Sequence, residues 1–414
     1  MFTIFPGVPH LHPVVPLAWA LVNEGHEVRV AVHPRMGDSV TRTGLSALPF
    51  GDSDPMRKVA EFATSLEQME SLESGSALRC EPGEPWHDPW FAVLGIMSAY
   101  LPATGDLIAA AREWQPDLII WDPVCPPGAV AAKLTGAAHA RLLWSQDNVA
   151  WLWERFAERD EDSTPPMVNG SLGWLTERLC DPYGLKFEPE LLLGQFTIDP
   201  RPAAWGVEAK VERVPMRWVP YNGSAPAADW LARKPQRPRV ALSLGIGGRG
   251  RQVFAESGRS PMAVISDLAS LDIELVCTLD RSKLDGDLPD NVRVVDYVPL
   301  NQLLPTCSAI LHHGGDGTAF AAGAFAVPQL VLPVPFWAEH NVGRHITDIG
   351  AGLVVTPAQV AAGQLRGQLD RLLTDPAFTE GAARQQAEMR AMPAPHDVVR
   401  VLTELTERHR AAAH

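Results

Sequence analysis

Short apolar runs alternate with helical periodicity through both halves of the chain. Each run is followed by a loop and then by a segment whose apolar residues are spaced as on one face of a helix. This alternation predicts parallel β-sheets covered by helices, the α/β architecture. The predicted strands cover residues 2–5, 26–32, 117–122, 140–144, 239–244, 273–278, 292–295, 309–311 and 329–332, and the predicted helices cover residues 16–25, 98–113, 126–135 and 261–270.

A proline-rich segment separates the two α/β series. Its density of proline is typical of a linker between domains. The five prolines are Pro215, Pro220, Pro226, Pro235 and Pro238. Two parallel sheets joined in this way place a ligand site in the cleft between the carboxyl ends of their strands. The predicted units are an N-terminal domain at 1–213, the linker at 214–238, a C-terminal domain at 239–396 and a helical segment at 397–414.

Length and composition agree with two globular domains. A chain of 414 residues is too long for one ordinary core, and 46% hydrophobic residues suffice for two cores. A net charge of −14 argues against nucleic acid or an anionic membrane as partner, so a phosphate site here must be local. No run of about 18 apolar residues predicts a membrane span. The first predicted strand starts abruptly, so we expect a few native residues to precede it.

The cysteines predict a reducing compartment. They are odd in number and widely spaced, without CxxC or zinc-type spacing, which favours free thiols in a cytoplasmic protein. The five are Cys80, Cys125, Cys180, Cys277 and Cys307.

The richest chemical signal is the turn at residues 311–318, Leu-His-His-Gly-Gly-Asp-Gly-Thr. It follows an apolar run and precedes a helix of small residues. Unpaired backbone N–H groups and the helix dipole make such a turn an anion site, best filled by phosphate. The alternative is an ordinary glycine-rich turn with a histidine satisfied in the core.

A second glycine turn follows the predicted strand 239–244. Gly245–Gly250 contains a literal G-x-G-x-x-G, the dinucleotide fingerprint. That fingerprint expects an acid about 20 positions later, but the acid after the next strand, Asp280, lies 30 positions past Gly250. A loop facing an anionic donor therefore fits better, with Ser243 among its hydrogen-bond donors.

Two segments offer acid–base chemistry. The loop 6–13 after the first strand carries His10 and His12, and a histidine at that edge can take a proton from a hydroxyl at neutral pH. Asp122 closes an apolar strand and can orient an imidazole. The alternatives are an ordinary surface histidine and an aspartate that caps a helix, because Asp122–Pro123 also suits a strand-to-helix turn.

The tryptophans, 13 in number, are dense in the N-terminal half. They are core residues, or they line a broad apolar acceptor pocket. The candidates for acceptor binding are Trp86, Trp90 and Trp144. Trp151, Leu152 and Phe156 fall on one predicted helix, as a docking face or as part of the core.

Together these motifs resemble the nucleotide-sugar glycosyltransferases of the GT-B fold. The resemblance is strongest to the actinobacterial branch that attaches activated deoxysugars to macrolide and other polyketide aglycones, and it covers nearly the whole chain. The resemblance rests on the order and spacing of the motifs. They are His10 with Val15–Leu21, Gly25–Val28, Pro116–Pro123, Gly136–Trp144, Arg217–Gly223, Tyr297–Leu300, Leu303–Pro305 and His312–Gly315.

The resemblance implies roles for matching positions. His10 falls at the general base, Asp122 at its orienting acid, and His12 at a position that is usually not catalytic. The final segment, 397–414, would cross back onto the N-terminal domain. The positions for the diphosphate are Ser243, His312, Gly314, Gly315, Gly317 and Thr318, those for the nucleobase Val298 and Leu303, and those for the donor sugar Trp337 and Glu339.

Two positions depart from the family pattern. Asp316 stands where the family usually has alanine, and Ala338 where it often has aspartate. A carboxylate beside a diphosphate is repelled unless it is turned away or paired. Both departures fit a donor sugar that lacks some hydroxyls and carries an amine, bound by Asp316 or Glu339.

The sequence thus predicts an inverting transferase that moves a deoxysugar from a dTDP-activated donor to an aglycone hydroxyl. Helix dipole and backbone donors can stabilise the leaving diphosphate without a metal, so we expect no metal and no cofactor beyond the co-substrate. An activator protein of the cytochrome P450 type and a homodimer are the candidate protein partners. The alternatives are a nucleotide-sugar epimerase of the same fold, an NAD-linked oxidoreductase and a non-enzymatic binding protein.

Overall fold

The computed structural model describes residues 1–52, 93–95, 97–98, 100–157, 176–245, 250–334 and 337–412. Two parallel β-sheets organise these residues, one in each half of the chain. The N-terminal sheet has the strand order β3-β2-β1-β4-β5-β6-β7, and the C-terminal sheet has the order β10-β9-β8-β11-β12-β13. The predicted α/β architecture of two Rossmann-like domains is confirmed.

The strands of both sheets are short and mostly buried. In the N-terminal sheet they are β1 (Phe2–Thr3), β2 (Arg29–Val32), β3 (Ser46–Pro49), β4 (Leu118–Trp121), β5 (Ala138–Leu142), β6 (Phe196–Asp199) and β7 (Arg213–Pro215). In the C-terminal sheet they are β8 (Arg239–Ser243), β9 (Glu274–Thr278), β10 (Val292–Val295), β11 (Ala309–His312), β12 (Gln329–Val331) and β13 (Gly352–Val354).

Helices cover both faces of each sheet. In the N-terminal half they are α1 (Val8–Leu11), α2 (Val14–Asn23), α3 (Gly37–Thr41), α4 (Thr104–Trp114), α5 (Pro127–Thr135), α6 (Asn148–Ala157) and α7 (Glu190–Leu193). In the C-terminal half they are α8 (Gly250–Ser257), α9 (Pro261–Ala269), α10 (Leu300–Leu303), α11 (Asp316–Ala324), α12 (Glu339–Asp348), α13 (Pro357–Ala361), α14 (Leu365–Thr374), α15 (Pro376–Arg390) and α16 (Pro395–Ala412). Short 3₁₀ and π turns lie at Pro34–Met36, Leu101–Ala103, Thr176–Cys180, Asp181–Tyr183, Ala203–Trp205, Arg281–Lys283 and Leu304–Thr306.

The last helix, α16, packs on the N-terminal domain. Its residues Val398 and Leu402 are buried in one core cluster with Leu17 of α2 and Val30 of β2. Burial of such side chains stabilises the contact by roughly 1.5–3 kcal/mol each. The end of the chain therefore ties the two halves together. Within the described residues no helix has the length and apolarity that crossing a bilayer requires.

The hydrophobic pattern of the sequence did not predict four of the strands, β3, β6, β7 and β13. Three of these are edge strands of their sheets, and β3 and β7 each end in proline, which is tolerated at edges but weakens a strand signal. β7 also shows that the N-terminal sheet ends at Pro215, inside the segment 214–238 that we predicted as linker. β5 lies two residues earlier than predicted, because buried polar side chains, His139 and Arg141, interrupt its apolar pattern.

Aromatic side chains fill one side of the contact between the domains. Trp205, which follows β6, packs on Phe320 of α11 with ring centroids 4.9 Å apart and on His345 of α12 at 4.4 Å. Trp218 meets the same Phe320 at 5.1 Å. The indole rings of the N-terminal half thus seat the first two helices that follow β11 and β12, and they fix how the two sheets face each other.

A buried ion pair fixes the loop that follows β5. Arg141 and Asp147 are fully buried, and both guanidinium Nη atoms donate to the carboxylate, at 2.8 and 2.7 Å. Arg141 also donates to Thr197 Oγ1, and Asp147 accepts from Ala150 N at the start of α6. Burial opposes ionisation of Asp147, but the Arg141 guanidinium outweighs it and holds the pKa of the carboxyl below its usual range.

Removing one member of this pair should be far more damaging than removing both. Asp147→Ala leaves a buried guanidinium unpaired, so we expect the free energy of unfolding to fall by about 3–5 kcal/mol. A double variant, Arg141→Met with Asp147→Leu, removes both charges and should recover much of that loss. Urea denaturation followed by circular dichroism measures both, and a double variant no more stable than Asp147→Ala would contradict the prediction.

Candidate active site

A histidine–aspartate pair lies at the carboxyl edge of the N-terminal sheet. His10 sits on α1, directly after β1, and Asp122 directly follows the neighbouring strand β4. His10 Nδ1 and Asp122 Oδ2 are 2.6 Å apart. The His10 side chain is 15% exposed and that of Asp122 2%, so the imidazole faces the cleft while the carboxylate lies beneath it. Parallel strands β1 and β4 place these two residues, 112 positions apart, in contact.

Asp122 is held by more than His10. Its Oδ1 accepts hydrogen bonds from Val124 N at 3.0 Å and from Trp144 Nε1 at 3.1 Å. The same carboxylate therefore closes the turn after β4 and bonds the imidazole. It does not cap a helix, the alternative weighed from the sequence, because α5 begins at Pro127 with Pro126 at its N-cap. With Nδ1–H donating to this carboxylate, the lone pair of His10 lies on Nε2.

His12, the second histidine of the same loop, is part of the packing. It is buried, its ring meets Tyr221 edge-on at 5.6 Å, and burial lowers its pKa to about 4. The two histidines thus have different surroundings although they are only two residues apart.

The two glycine turns lie side by side at the carboxyl edge of the C-terminal sheet. β8 pairs with β11, so that Ser243 and His312 are register partners, and Thr278 Oγ1 donates to Ser243 Oγ at 3.0 Å. Gly245 and Gly314 have φ of +80° and +94°, which favours glycine. Gly315 is at the N-cap of α11, and Thr318 N bonds back to its carbonyl.

The two histidines of this turn have different surroundings. His312 is fully buried, with Nε2 at 3.0 Å from Gln329 Oε1 and Nδ1 accepting from Gly314 N at 3.2 Å. Burial lowers its pKa to about 4. His312 therefore orders the turn from within and does not present its ring to a phosphate. The half-buried ring between the turns is that of His313, against which a Cβ on Gly245 or Gly315 would clash, at 2.6 and 2.7 Å.

Asp316 and Ser145 join the two domains. Asp316 opens α11, is buried, and accepts from Ser145 Oγ at 2.5 Å. Ser145 belongs to the loop that Arg141 and Asp147 anchor. The sequence singled out Asp316, but nothing in the pattern indicated Ser145, because a lone serine after a strand carries no signal of a partner 171 residues away.

The segment that follows β12, which includes Trp337 and Glu339, also contributes to the contact between the two domains. The Trp337 ring lies 5.0 Å from Trp144, whose ring in turn lies 4.4 Å from His10. Trp337 Nε1 donates to Gln146 O at 2.9 Å, and Glu339 Oε2 accepts from Trp337 N at 2.6 Å. The loop at 145–148 and this segment are further joined by bonds from Asn341 to Gln146 and from Asn148 to Trp337 O.

The predicted nucleobase residues are core residues. Leu303 is fully buried and Val298 is 6% exposed, in one cluster with Ile310. Their backbone, rather than their side chains, is what a base can contact. The neighbouring Tyr297, which begins the same motif, is 44% exposed.

Other predicted positions separate into two groups. Trp86, Trp90 and residues 246–249 lie outside the described residues. Trp151 and Leu152 are buried in the core, which confirms the second of the two alternatives weighed for them, and the side chain of Phe156 lies outside the described residues. Among the residues that the structure describes, no group of three or more His, Cys, Asp and Glu side chains forms a metal cluster.

Two facing parallel-sheet domains, an acid–base pair on one and a phosphate-type turn on the other define a GT-B glycosyltransferase. Family comparison agrees. Residues 19–245 match the N-terminal domain and residues 262–405 the C-terminal domain of the Erythromycin biosynthesis protein CIII-like family. The chain belongs to this family and is a nucleotide-sugar-dependent glycosyltransferase.

Relatives and solved structures of similar proteins span the whole chain. Aclacinomycin-T 2-deoxy-L-fucose transferase of Streptomyces galilaeus is 41% identical over 99% of this chain and 96% of its own length. The 10-deoxymethynolide desosaminyltransferase of Streptomyces venezuelae is 39% identical over 99% and 97%. The structure of glycosyltransferase VinC in complex with dTDP has a TM-score of 0.85 at 33% identity, covering 98% of this chain and 99% of that one. Spinosyn forosaminyltransferase SpnP has a TM-score of 0.80 at 37% identity, covering 98% of each chain.

These relatives bear on the alternatives. They transfer deoxysugars to polyketide aglycones, and such transfer between a nucleotide-sugar and an aglycone is the reaction that the comparisons support for this chain. They do not favour the epimerase or the NAD-linked oxidoreductase that the sequence left open.

Proposed function

We propose that this protein is an inverting transferase that moves a deoxysugar from a dTDP-activated donor to a hydroxyl of a macrolide or other polyketide aglycone. The observation that carries the proposal is the pair His10–Asp122, 2.6 Å apart, set opposite the glycine turn of residues 312–318 across the Trp144–Trp337 contact. A base and a diphosphate site on opposite walls are what a direct displacement at the anomeric carbon requires.

In the proposed mechanism His10 Nε2 accepts the proton of the aglycone hydroxyl. Asp122 holds the imidazole in the required tautomer and stabilises the imidazolium that forms. The freed oxygen attacks the anomeric carbon from the side opposite the leaving group, which inverts its configuration. Trp144, with its indole N–H fixed by Asp122, presents an apolar face on which the aglycone packs beside the base.

The departing diphosphate is received by the C-terminal domain. The N-terminus of α11 and the backbone of Gly314 and Gly315 supply N–H donors and a positive dipole end. Ser243, His313 and Thr318 border the same space, and His312 supports it from below through Gly314 and Gln329. Since these donors are fixed before the reaction, we propose that transfer needs no metal ion.

The donor nucleotide is proposed to be dTDP because the similar structure VinC holds dTDP. The base would lie along the backbone of Val298 with the exposed ring of Tyr297 beside it. The acceptor is proposed to be a polyketide because the relatives are named for such aglycones.

The dyad should be essential for turnover and dispensable for donor binding. We expect His10→Ala and Asp122→Asn to lower kcat by roughly 10²- to 10⁴-fold, because one removes the base and the other favours the wrong tautomer. Affinity for dTDP should stay within about twofold of wild type. Single-turnover kinetics with a polyketide aglycone and calorimetry provide the two readouts.

His12→Asn is the matched control for the dyad, since His12 lies on the same loop but faces Tyr221. It should keep most of the activity as long as circular dichroism shows a folded protein. A folded His12 variant as inactive as His10→Ala would contradict the assignment of His10 as the general base.

Calorimetric titration with dTDP, UDP and NAD in the presence of a chelator tests the donor. We expect dTDP to bind most tightly, and Gly315→Ala to weaken it at least about tenfold, because the new Cβ would stand 2.7 Å from the His313 ring. Gly367→Ala is the control, as a Cβ there meets nothing within 4 Å. Preference for UDP would point to a different donor class, and binding of NAD alone would refute the proposal.

The sugar itself is proposed to carry an amine, since two buried carboxylates, Asp316 and Glu339, lie next to Gly315 and Gly314 of the proposed donor turn. Asp316→Ala should then lower kcat/KM for an amino-sugar donor about tenfold more than for its neutral analogue, as lost hydrogen bonds to charge do. Competition assays with the two donors measure the ratio. Equal losses for both donors would argue against recognition of an amine.

A further inference from the structure

Trp337 is held in place by both domains. Its backbone N donates to Glu339 Oε2 at 2.6 Å, within the C-terminal domain. Its indole Nε1 donates to Gln146 O at 2.9 Å, and its carbonyl accepts from Asn148 Nδ2 at 3.0 Å. Gln146 and Asn148 lie where the loop after β5 leads into α6 of the N-terminal domain. The opposite domain therefore fixes both the backbone and the ring of this tryptophan.

Three buried side-chain amides form a chain of hydrogen bonds from α12 to Trp337. Arg344 Nη2 donates to Asn341 Oδ1 at 2.7 Å, and Asn341 Nδ2 donates to Gln146 Oε1 at 2.7 Å. Gln146 Nε2 donates to Asn148 Oδ1 at 2.6 Å, and Asn148 Nδ2 donates to Trp337 O. Each amide thus accepts one hydrogen bond of the chain and donates the next, and all three amides are buried.

The two ends of this amide chain allow only one direction of donation. The guanidinium of Arg344 has N–H donors and no acceptor, and the carbonyl of Trp337 can only accept. If one amide turned over, its oxygen would face another oxygen and its nitrogen another nitrogen, and buried polar groups without a partner are costly. Each amide therefore has a single arrangement, and the chain couples α12, the loop at 145–148 and Trp337 into one unit.

The residue at the end of the chain lies beside the proposed reaction centre. The Trp337 ring is 5.0 Å from that of Trp144, which in turn is 4.4 Å from the His10 ring. Trp337 and Glu339 are the positions that the family resemblance assigns to the donor sugar. The amide chain itself includes neither the glycine turn at 312–318 nor the segment at 297–303, so it bears on the sugar and not on the nucleotide.

We propose that Gln146 and Asn148 are positioning residues for the donor sugar, which they serve through Trp337. The inference rests on the proposed function, which places the donor's diphosphate at residues 314–318. It adds that recognition of the sugar depends on the N-terminal domain, although the sugar is attached to a nucleotide held by the C-terminal domain. Loss of the amide chain then weakens binding of a nucleotide-sugar and spares binding of the nucleotide alone.

Calorimetric titration of Gln146→Met with dTDP and with dTDP-L-rhamnose, a 6-deoxyhexose donor, tests the inference. Methionine keeps the length of the side chain and removes both of its hydrogen bonds. We expect the ratio of the Kd for dTDP-L-rhamnose to the Kd for dTDP to rise about tenfold above that of wild type, with the Kd for dTDP within about twofold. Gln386→Met is the matched control, because Gln386 donates to Ala324 O and takes no part in the chain.

A second pair of variants acts at the exposed end of the chain, where a substitution spares the packing of the domain contact. Arg344→Met removes the donor that orients Asn341, so the same ratio should rise about two- to threefold. Arg344→Lys still has N–H donors and should restore the wild-type ratio. This pair decides the matter if Gln146→Met does not fold.

The outcomes separate this inference from the proposed function. An unchanged ratio in Gln146→Met or Arg344→Met, with dTDP bound normally, would overturn the inference and leave the donor site intact. An equal loss of affinity for both probes would make the chain purely structural, which also contradicts the inference. Absence of dTDP binding by wild type would remove the proposed donor site and this inference with it.

Discussion

The buried pair of Arg141 and Asp147 is the constraint from which the rest of the site follows. It anchors the loop after β5 with two charge-assisted bonds that no solvent reaches. From this loop Trp144 holds Asp122, and Ser145 holds Asp316 of the other domain. Buried ion pairs add little net stability compared with apolar packing, so the contribution that we assign to this one is geometric. It sets the acid–base pair and the domain contact in a fixed relation.

The proposed active site is divided between the two domains. The N-terminal sheet presents the dyad, and the C-terminal sheet presents the glycine turn, each at the carboxyl ends of parallel strands, where an open α/β sheet places its ligands. The rings of Trp144 and Trp337, tilted by 41° with centroids 5.0 Å apart, lie between the two domains. The contact between the domains is thus built from the same residues that border the proposed site.

Three histidines show how environment assigns a role to one residue type. His10 is partly exposed, and its imidazole is paired with a carboxylate in the cleft. His12 and His312 are buried, and burial lowers the pKa of each to about 4. They therefore stay neutral near pH 7 and serve as packing and hydrogen-bonding groups. In the glycine turn after β11 it is His313, next to His312, whose ring lies against Gly245 and Gly315.

The sequence by itself determined the alternation of strands and helices, the family resemblance and the dyad, because these depend on local periodicity and on motif order. It missed edge strands such as β7, where proline weakens the local signal. The tertiary structure alone decided which histidine of the turn is buried, and that Asp316 finds Ser145 across the domain contact. Those facts depend on residues far apart in the chain, such as the 171 positions between Ser145 and Asp316, and no local pattern encodes such a contact.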